Sequence, residues 1–211
     1  MPSCEVLIVG AGPAGCAAAI RGKQLGLEVV VVDKATFPRD KCCGDGLTTL
    51  ALRELERLGV HPAAMPSWFE IGDVYLRSPQ GREIQLNLPR NRGQYAAVVE
   101  RRELDAELVR IALGSGVQIH QGAGFEQIKL DDDGAVVRLQ DGTTMSAKTV
   151  IAADGMWSPV RKALGCTPVG YRGDWHAFRQ YLHADGVRSR DLWVWFEKDL
   201  LPGYAWSFPL E

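Results

Sequence analysis

The first thirty-three residues constrain this chain most. The apolar run Glu5 to Val9 leads into Gly10-Ala11-Gly12-Pro13-Ala14-Gly15, and an alanine-rich stretch then runs to Leu25. Gly26 ends that stretch, and the valines of Glu28 to Val32 follow, closed by Asp33. Two short apolar runs flanking a helical stretch make a βαβ unit, and near-continuous apolar strands belong to a parallel sheet covered on both faces. The glycines have separate tasks: Gly10 permits the tight turn, Gly12 lets a pyrophosphate approach the backbone, and Gly15 lets helix and strand close together. The helix N-terminus adds free N–H groups and the positive end of its dipole. Asp33 lies eighteen residues after Gly15, where an acid accepts hydrogen bonds from a ribose diol. The pattern predicts a dinucleotide site at Gly10, Gly12, Gly15 and Asp33, and it leaves NAD and FAD both open.

The bulk numbers exclude several classes. A net charge of −2 gives no basic face for nucleic acid. No apolar run reaches the roughly 18 residues that span a bilayer, and Val6 to Val9 is too short for the apolar core of a signal peptide. The expectation is a cytoplasmic protein with room for peripheral contact at the inner face of a membrane. Five cysteines, an odd number, argue against a secreted disulfide framework. Cys4, Cys16 and Cys166 read as small buried hydrophobes. His61, His120, His176 and His183 lack metal-ligand spacing, so no metal is expected. Asp131-Asp132-Asp133-Gly134 reads as a solvated turn, lacking the further ligands of a calcium loop.

Further along, the spacing predicts a helix over 45–58, with leucines at 47, 50, 52, 55 and 58 and Gly59 as its stop. Val74 to Leu76 and Ile84 to Leu86 flank Ser78-Pro79-Gln80-Gly81, a hairpin signature. Pro89 to Gln94 is a polar connector, and a helix is predicted over 101–113. Strands are predicted at 117–120, 125–130, 136–139 and 149–153, and again at 191–197 and 204–208. Ten of the seventeen aromatic residues lie between Tyr171 and Phe208. The fold class expected is α/β: a Rossmann-like domain with a parallel sheet, over 1–71 and 91–165, plus part of a mainly antiparallel β domain for substrate, over 72–90 and 166–211.

Ile151-Ala152-Ala153-Asp154-Gly155, followed by Ser158-Pro159-Val160-Arg161, is an apolar strand ending in Asp-Gly with a Ser-x-Val-Arg tail. It resembles the second fingerprint of the flavoprotein hydroxylases and their relatives, in which the aspartate helps hold the flavin pyrophosphate and ribityl region. That resemblance selects FAD. Lys41-Cys42-Cys43-Gly44-Asp45-Gly46 matches the Lys-x-Cys-Gly-x-Gly pattern of the geranylgeranyl reductase family. Arg101-Arg102-Glu103-Leu104-Asp105 resembles that family's Arg-x-x-Phe-Asp helix start, with leucine for phenylalanine. Tyr204-Ala205-Trp206-Ser207-Phe208-Pro209 matches its Tyr-x-Trp-x-Phe-Pro signature. The resemblance spans residues 6 to 209.

The family uses reduced FAD to saturate isoprenoid double bonds, with NAD(P)H or a ferredoxin as electron donor. The resemblance implies that Ala14, Asp33, Lys41, Cys43, Gly44, Gly46, Arg101, Ala123, Asp154 and Gly155 line FAD. It implies that Tyr204, Trp206 and Phe208, alternating along a strand and sharing one face, wall a channel for a geranylgeranyl or polyprenyl chain on a lipid or quinone. Their other reading is ordinary sheet core. Cys43 is the candidate catalytic residue, tuning the flavin or donating the proton; its other reading is a spectator thiol beside a backbone contact. A Cys42–Cys43 disulfide would be strained.

Two further function classes stand beside the reductase. A flavin-dependent halogenase or aromatic hydroxylase shares the fold, but halogenases carry Trp-x-Trp-x-Ile-Pro where this chain has Tyr204 and Phe208. The other is a non-catalytic, lipid-binding fragment. Flavoproteins of this superfamily carry a third FAD segment beyond the aromatic motif, a Gly-Asp opening a helix. Gly44-Asp45, Gly72-Asp73 and Gly173-Asp174 lack that context, so the expectation is the N-terminal portion of a longer protein, binding FAD weakly alone.

Overall fold

The structure, a computed structural model, describes residues 1–171, 173–174 and 176–210. Trp175, counted among the aromatics above, and Arg172 and Glu211, which fall in the expected substrate domain, lie outside them. The strands in chain order are β1 (Ser3–Val9), β2 (Val29–Asp33), β3 (Gly46–Thr48), β4 (Phe69–Glu70), β5 (Asp73–Arg77), β6 (Glu83–Asn87) and β7 (Ala96–Val98). β8 (Gln118–Gln121), β9 (Phe125–Asp131), β10 (Gly134–Leu139), β11 (Thr144–Ala152), β12 (Leu192–Trp195) and β13 (Ala205–Ser207) follow. The α-helices are α1 (Pro13–Gln24), α2 (Thr49–Arg57), α3 (Arg101–Gly114) and α4 (Pro159–Ala163).

The chain divides into two compact units, one of residues 1–40 and 105–176, the other of 41–104 and 177–211. These bounds differ from the expected domains, because 41–71 and 91–104 join the hairpin in the second unit. The reason is a three-stranded antiparallel sheet in the order β3-β7-β4, which ties the end of the cysteine loop to the segment that follows the polar connector. β7 carries only Ala-Ala-Val and gives no periodic signal, so the sequence pattern passes over it.

The first unit is built on a six-stranded sheet in the order β8-β2-β1-β11-β10-β9. β8, β2, β1 and β11 run parallel, while β10 and β9 are antiparallel. Val29 to Val32 are all buried, as a central parallel strand covered on both faces requires. Leu7, Val9, Val32, Val137 and Leu139 meet in one core with Ala123 and Phe125. Full burial of each such aliphatic chain contributes about 1.5–3 kcal/mol, which fixes the register: a one-residue slip would turn these side chains to the other face. That register pairs Val9 with Val32 on one side and with Ala152 on the other. The turns at Gly10, Asp33 and Asp154 therefore emerge at one edge, the carboxyl ends of the strands, where open α/β sheets bind ligands.

The second unit adds a four-stranded sheet, β13-β12-β5-β6, antiparallel except for the β5–β12 pair. Trp193 stacks between Tyr75 at 4.7 Å and Trp195 at 5.8 Å. The helix predicted over 45–58 starts only at Thr49, since residues 46–48 pair with β7 and Thr48 caps the helix, accepting a hydrogen bond from the Ala51 N–H. No helix among the described residues is long and apolar enough to cross a membrane.

Candidate functional site

In the first unit the chain leaves β1 through Gly10, whose φ of +105° is in the region that favours glycine. A Cβ on Gly15 would stand 1.8 Å from the Gly10 carbonyl oxygen, and one on Gly10 would stand 2.4 Å from that of Ala153. Those two glycines let the loop, α1 and the 153–155 turn close on one another. Gly12 is different: a Cβ there meets only Arg39 Nη2, at 3.7 Å. Gly12 is also the N-cap of α1, with Pro13 as the first helical residue and no side chain capping the end. The open N–H groups and the dipole of α1 thus lie at a place where the Arg39 guanidinium is the nearest side chain to Gly12.

Asp33 closes the loop from β2. Its Oδ2 accepts from the Ala11 N–H at 2.7 Å and its Oδ1 from the Ala35 N–H at 2.8 Å. Each oxygen keeps a second lone pair for a hydroxyl donor. The Ala123 N–H donates to the Asp33 carbonyl at 2.8 Å, which brings Ala123 alongside. Asp154 accepts from the Val160 N–H through Oδ2 at 3.0 Å, while its Oδ1 is buried without a partner among the described residues. Gly10, Asp33, Ala123 and Asp154 line one cavity of about 70 Å³, together with Pro159. The Ser-x-Val-Arg tail serves this turn: Ser158 caps α4, accepting from the Arg161 N–H at 2.9 Å, and Arg161 Nη2 donates to the Met156 carbonyl at 2.6 Å. Ala14 lies in the first turn of α1, and Gly155 is exposed with φ +84°.

Sequence reasoning missed Arg39 and the use made of Asp105. Asp105 is fully buried, and its Oδ2 receives Arg39 Nη1 at 2.6 Å, which holds a guanidinium beside Gly12. Sixty-six residues separate the pair, so no local pattern announces it. Under the loop, the Cys16 thiol donates to the Ala11 carbonyl at 3.2 Å. Burial, followed by the charges of Asp105 and Asp33, pushes this thiol up to about 12, against a smaller pull from Arg39. It is a packing group, protonated throughout the working range.

This cradle fits a dinucleotide such as FAD. The orphaned Asp154 Oδ1, the face over Gly12 and the uncapped α1 offer acceptors and donors with no other use among the described residues. Ala14, Gly12 and Gly15 would meet the pyrophosphate, and Asp33 a ribose.

The second unit holds the cysteine loop and the aromatic motif. Cys42 is exposed and Cys43 half-buried, and both are free thiols. A Cβ on Gly44 would stand 3.1 Å from Phe208 Cε2 and 3.4 Å from Trp206 Cζ2, and one on Gly46 would stand 2.9 Å from Phe208 Cε1. The glycines at 44 and 46 are therefore where the loop meets the aromatics. Trp206 and Phe208 tilt on one another at 4.9 Å, and Phe208 joins the core with Ile71 and Val98. Tyr204 is exposed and lies against Phe196 at 6.0 Å. Of the three aromatics, Phe208 packs partly buried against the core of this unit, Trp206 is likewise half-buried, and Tyr204 is exposed. Asp45, with φ +60°, is buried, and its Oδ2 accepts from the Tyr181 hydroxyl at 2.9 Å. Lys41 is exposed, and Arg101 opens α3, half-buried. At that helix start Glu103 accepts from the Ser67 N–H and hydroxyl at 2.9 and 2.7 Å, while Ser67 Oγ accepts from the Glu100 N–H at 3.0 Å. Ser67 was not singled out from the sequence.

Known proteins resemble the chain along its length. It is 37% identical to menaquinone reductase of Mycolicibacterium smegmatis, over 98% of this chain and 52% of that protein. It is 31% identical to digeranylgeranylglycerophospholipid reductase 1 of Methanopyrus kandleri, over 97% of this chain and 54% of that protein. The crystal structure of a geranylgeranyl bacteriochlorophyll reductase-like protein from Thermoplasma acidophilum superposes with a TM-score of 0.77 at 20% identity, covering 100% of this chain and 54% of the other. That likeness establishes the fold. The chain spans about half the length of the curated relatives it matches. The family model for the FAD binding domain matches residues 3–198, and the chain belongs to that family.

Proposed function

We propose that this chain is the cofactor- and substrate-binding part of an FAD-dependent reductase that saturates double bonds of an isoprenoid chain, geranylgeranyl or polyprenyl, on a quinone or lipid. The observation that carries the reading is the packing of Gly44 and Gly46 against Trp206 and Phe208. The two motifs that resemble those of the prenyl reductases meet at Gly44 and Gly46, next in the chain to Cys43. The names of the relatives support it, since a menaquinone and a digeranylgeranyl lipid both carry isoprenoid chains.

Bound and reduced, FAD supplies a hydride. The chain's own residues do the rest. Gly12, Ala14 and Gly15 receive the pyrophosphate on backbone N–H groups, Arg39 adds a cation, Asp33 takes a ribose, and Asp154 Oδ1 accepts from the polar chain beyond. Ala123 and Gly155 complete the lining in the first unit, and the resemblance assigns Lys41, Gly44, Gly46 and Arg101 to the same cofactor. An isolated alkene is a poor hydride acceptor, so alignment and exclusion of water carry much of the rate. Tyr204, Trp206 and Phe208 give the apolar aromatic wall for that alignment. Cys43 Sγ holds the proton that the second alkene carbon takes. NAD(P)H or a ferredoxin is the electron donor. A substrate of this kind lies in a membrane, so the reading includes peripheral contact at its inner face.

The test is an absorbance spectrum of the purified chain with FAD, then anaerobic reduction and a challenge with geranylgeranyl lipid, menaquinone, and tryptophan with halide. Reoxidation by a prenyl compound is the expected outcome. Turnover only with oxygen and an aromatic would replace the reading with a halogenase or hydroxylase. Polyprenyl binding with no flavin would leave a non-catalytic lipid-binding fragment.

A further inference from the structure

Resting on the prenyl reductase reading, we infer that Asp45, clasped by Tyr181 and Arg179, is a positioning residue that sets the place of the Cys43 thiol. Residues 41–45 lie in neither helix nor strand, so the thiol depends on the anchors of the residues that follow it. Those anchors are consecutive. Gly44 and Gly46 lean on Phe208, and the Asp45 carbonyl accepts from the Val99 N–H at 3.0 Å. The Asp45 carboxylate, buried to 5% exposure, takes the Tyr181 hydroxyl at 2.9 Å and Arg179 Nη1 at 3.5 Å. The Arg179 guanidinium lies 4.2 Å over the Tyr181 ring.

Stability alone does not account for this cluster. A buried ion pair recovers its desolvation cost only when every lone pair is satisfied, and among the described residues Asp45 Oδ1 is buried with no partner. The left-handed φ of +60° adds backbone strain at the same residue. Strain and imperfect pairing gathered in one loop mark a place where geometry is held for a reacting group. The clasp reaches across the sequence by 134 and 136 residues. Arg179 and Tyr181 come from a stretch without helix or strand, in which Phe178 and Leu182 stand 92% and 77% exposed. Tyr181 stays a neutral donor: burial, then its bond to Asp45 and that group's charge, push its hydroxyl well above the usual range.

The experiment uses the FAD-loaded protein in a Cys42→Ser background, so that iodoacetamide labelling of the peptide after Lys41 reports Cys43 alone. Tyr181→Phe and Asp45→Asn are expected to change the Cys43 alkylation rate about fivefold, and to lower kcat with menaquinone about tenfold at unchanged KM, in variants that stay folded and FAD-loaded at the assay temperature. Arg179→Lys, which keeps the cation, should retain most of the parent rates. Unchanged alkylation in folded variants would overturn the inference, as would altered alkylation with unchanged kcat on a substrate the parent reduces. Labelling needs no substrate. Altered labelling in a protein that reduces no prenyl compound would sink the substrate reading and leave the positioning role standing. If Asp45→Asn fails to fold, Tyr181→Phe, which removes one hydroxyl from a partly exposed ring, carries the test.

Discussion

Two glycines of the loop, three residues apart, answer different demands. Gly15→Ala puts a methyl against backbone, 1.8 Å from the Gly10 oxygen, and neither atom sits on a side chain that can swing away. We expect a loss of about 3 kcal/mol in urea unfolding, with FAD binding lost alongside. At Gly12 a Cβ meets nothing nearer than 3.7 Å and φ is an ordinary −72°. Gly12→Ala should leave the unfolding midpoint unchanged and weaken FAD about tenfold in fluorescence titration, because the methyl occupies the pyrophosphate's approach. Equal FAD affinity in Gly12→Ala would contradict the cradle. Cys16 makes a prediction in pH. Its thiol ionises near 9.0 in the unfolded chain and at about 12 in the fold. Above pH 9 the unfolded state releases this proton and the folded state keeps it. The contribution is complete below pH 9 and falls by about 1.4 kcal/mol per unit as pH rises toward 12. Cys16→Ala should flatten the difference between urea midpoints at pH 8 and 10.5; equal slopes in both proteins would refute the assignment.

Among the elements, α4 is short, yet it holds the cavity's far wall. Ser158 caps it, and the same turn gives Asp154 its Val160 N–H. Ser158→Ala should cost about 1 kcal/mol and weaken FAD, and Ser158→Asn, another good cap, should restore both. Calorimetry and flavin titration check this; a loss of stability with FAD affinity intact would separate the cap from the site. The elements that the sequence announced are those with local grammar: strand, glycine turn and helix up to Asp33, the hairpin at 74–86, and the Asp-Gly turn at 154. In each, the residues that form the element also lie next to one another in the chain. β3 read as helix because its three residues run into the leucine spacing of α2, and only the pairing with β7 reveals it. Arg39 with Asp105 and Tyr181 with Asp45 escaped notice for another reason. Each is an ion pair or hydrogen bond spanning 66 or more residues, and no periodicity encodes such a partner.

At the scale of the whole molecule, the units differ in kind. One is a parallel-centred sheet with its turns gathered at one edge, the other two small sheets that meet where Phe208 packs against Gly46 and Val98. Both are assembled from two separate stretches of chain, which changes hands at 40/41, 104/105 and 176/177. A piece ending at residue 104 keeps β1 and β2 but lacks β8 to β11, four of the six strands of their sheet. We expect pieces 1–104 and 105–211 to be unfolded apart by circular dichroism and to regain flavin absorbance only when refolded together. Cooperative folding of either alone would refute this. The interleaving also limits how such a protein can be rebuilt. Neither unit can be lifted out as one cassette. Exchanging the second would take two simultaneous splices, at 41–104 and at 177–211, in matching register. A variant of this protein is therefore easier to reach by single substitutions than by exchange of modules.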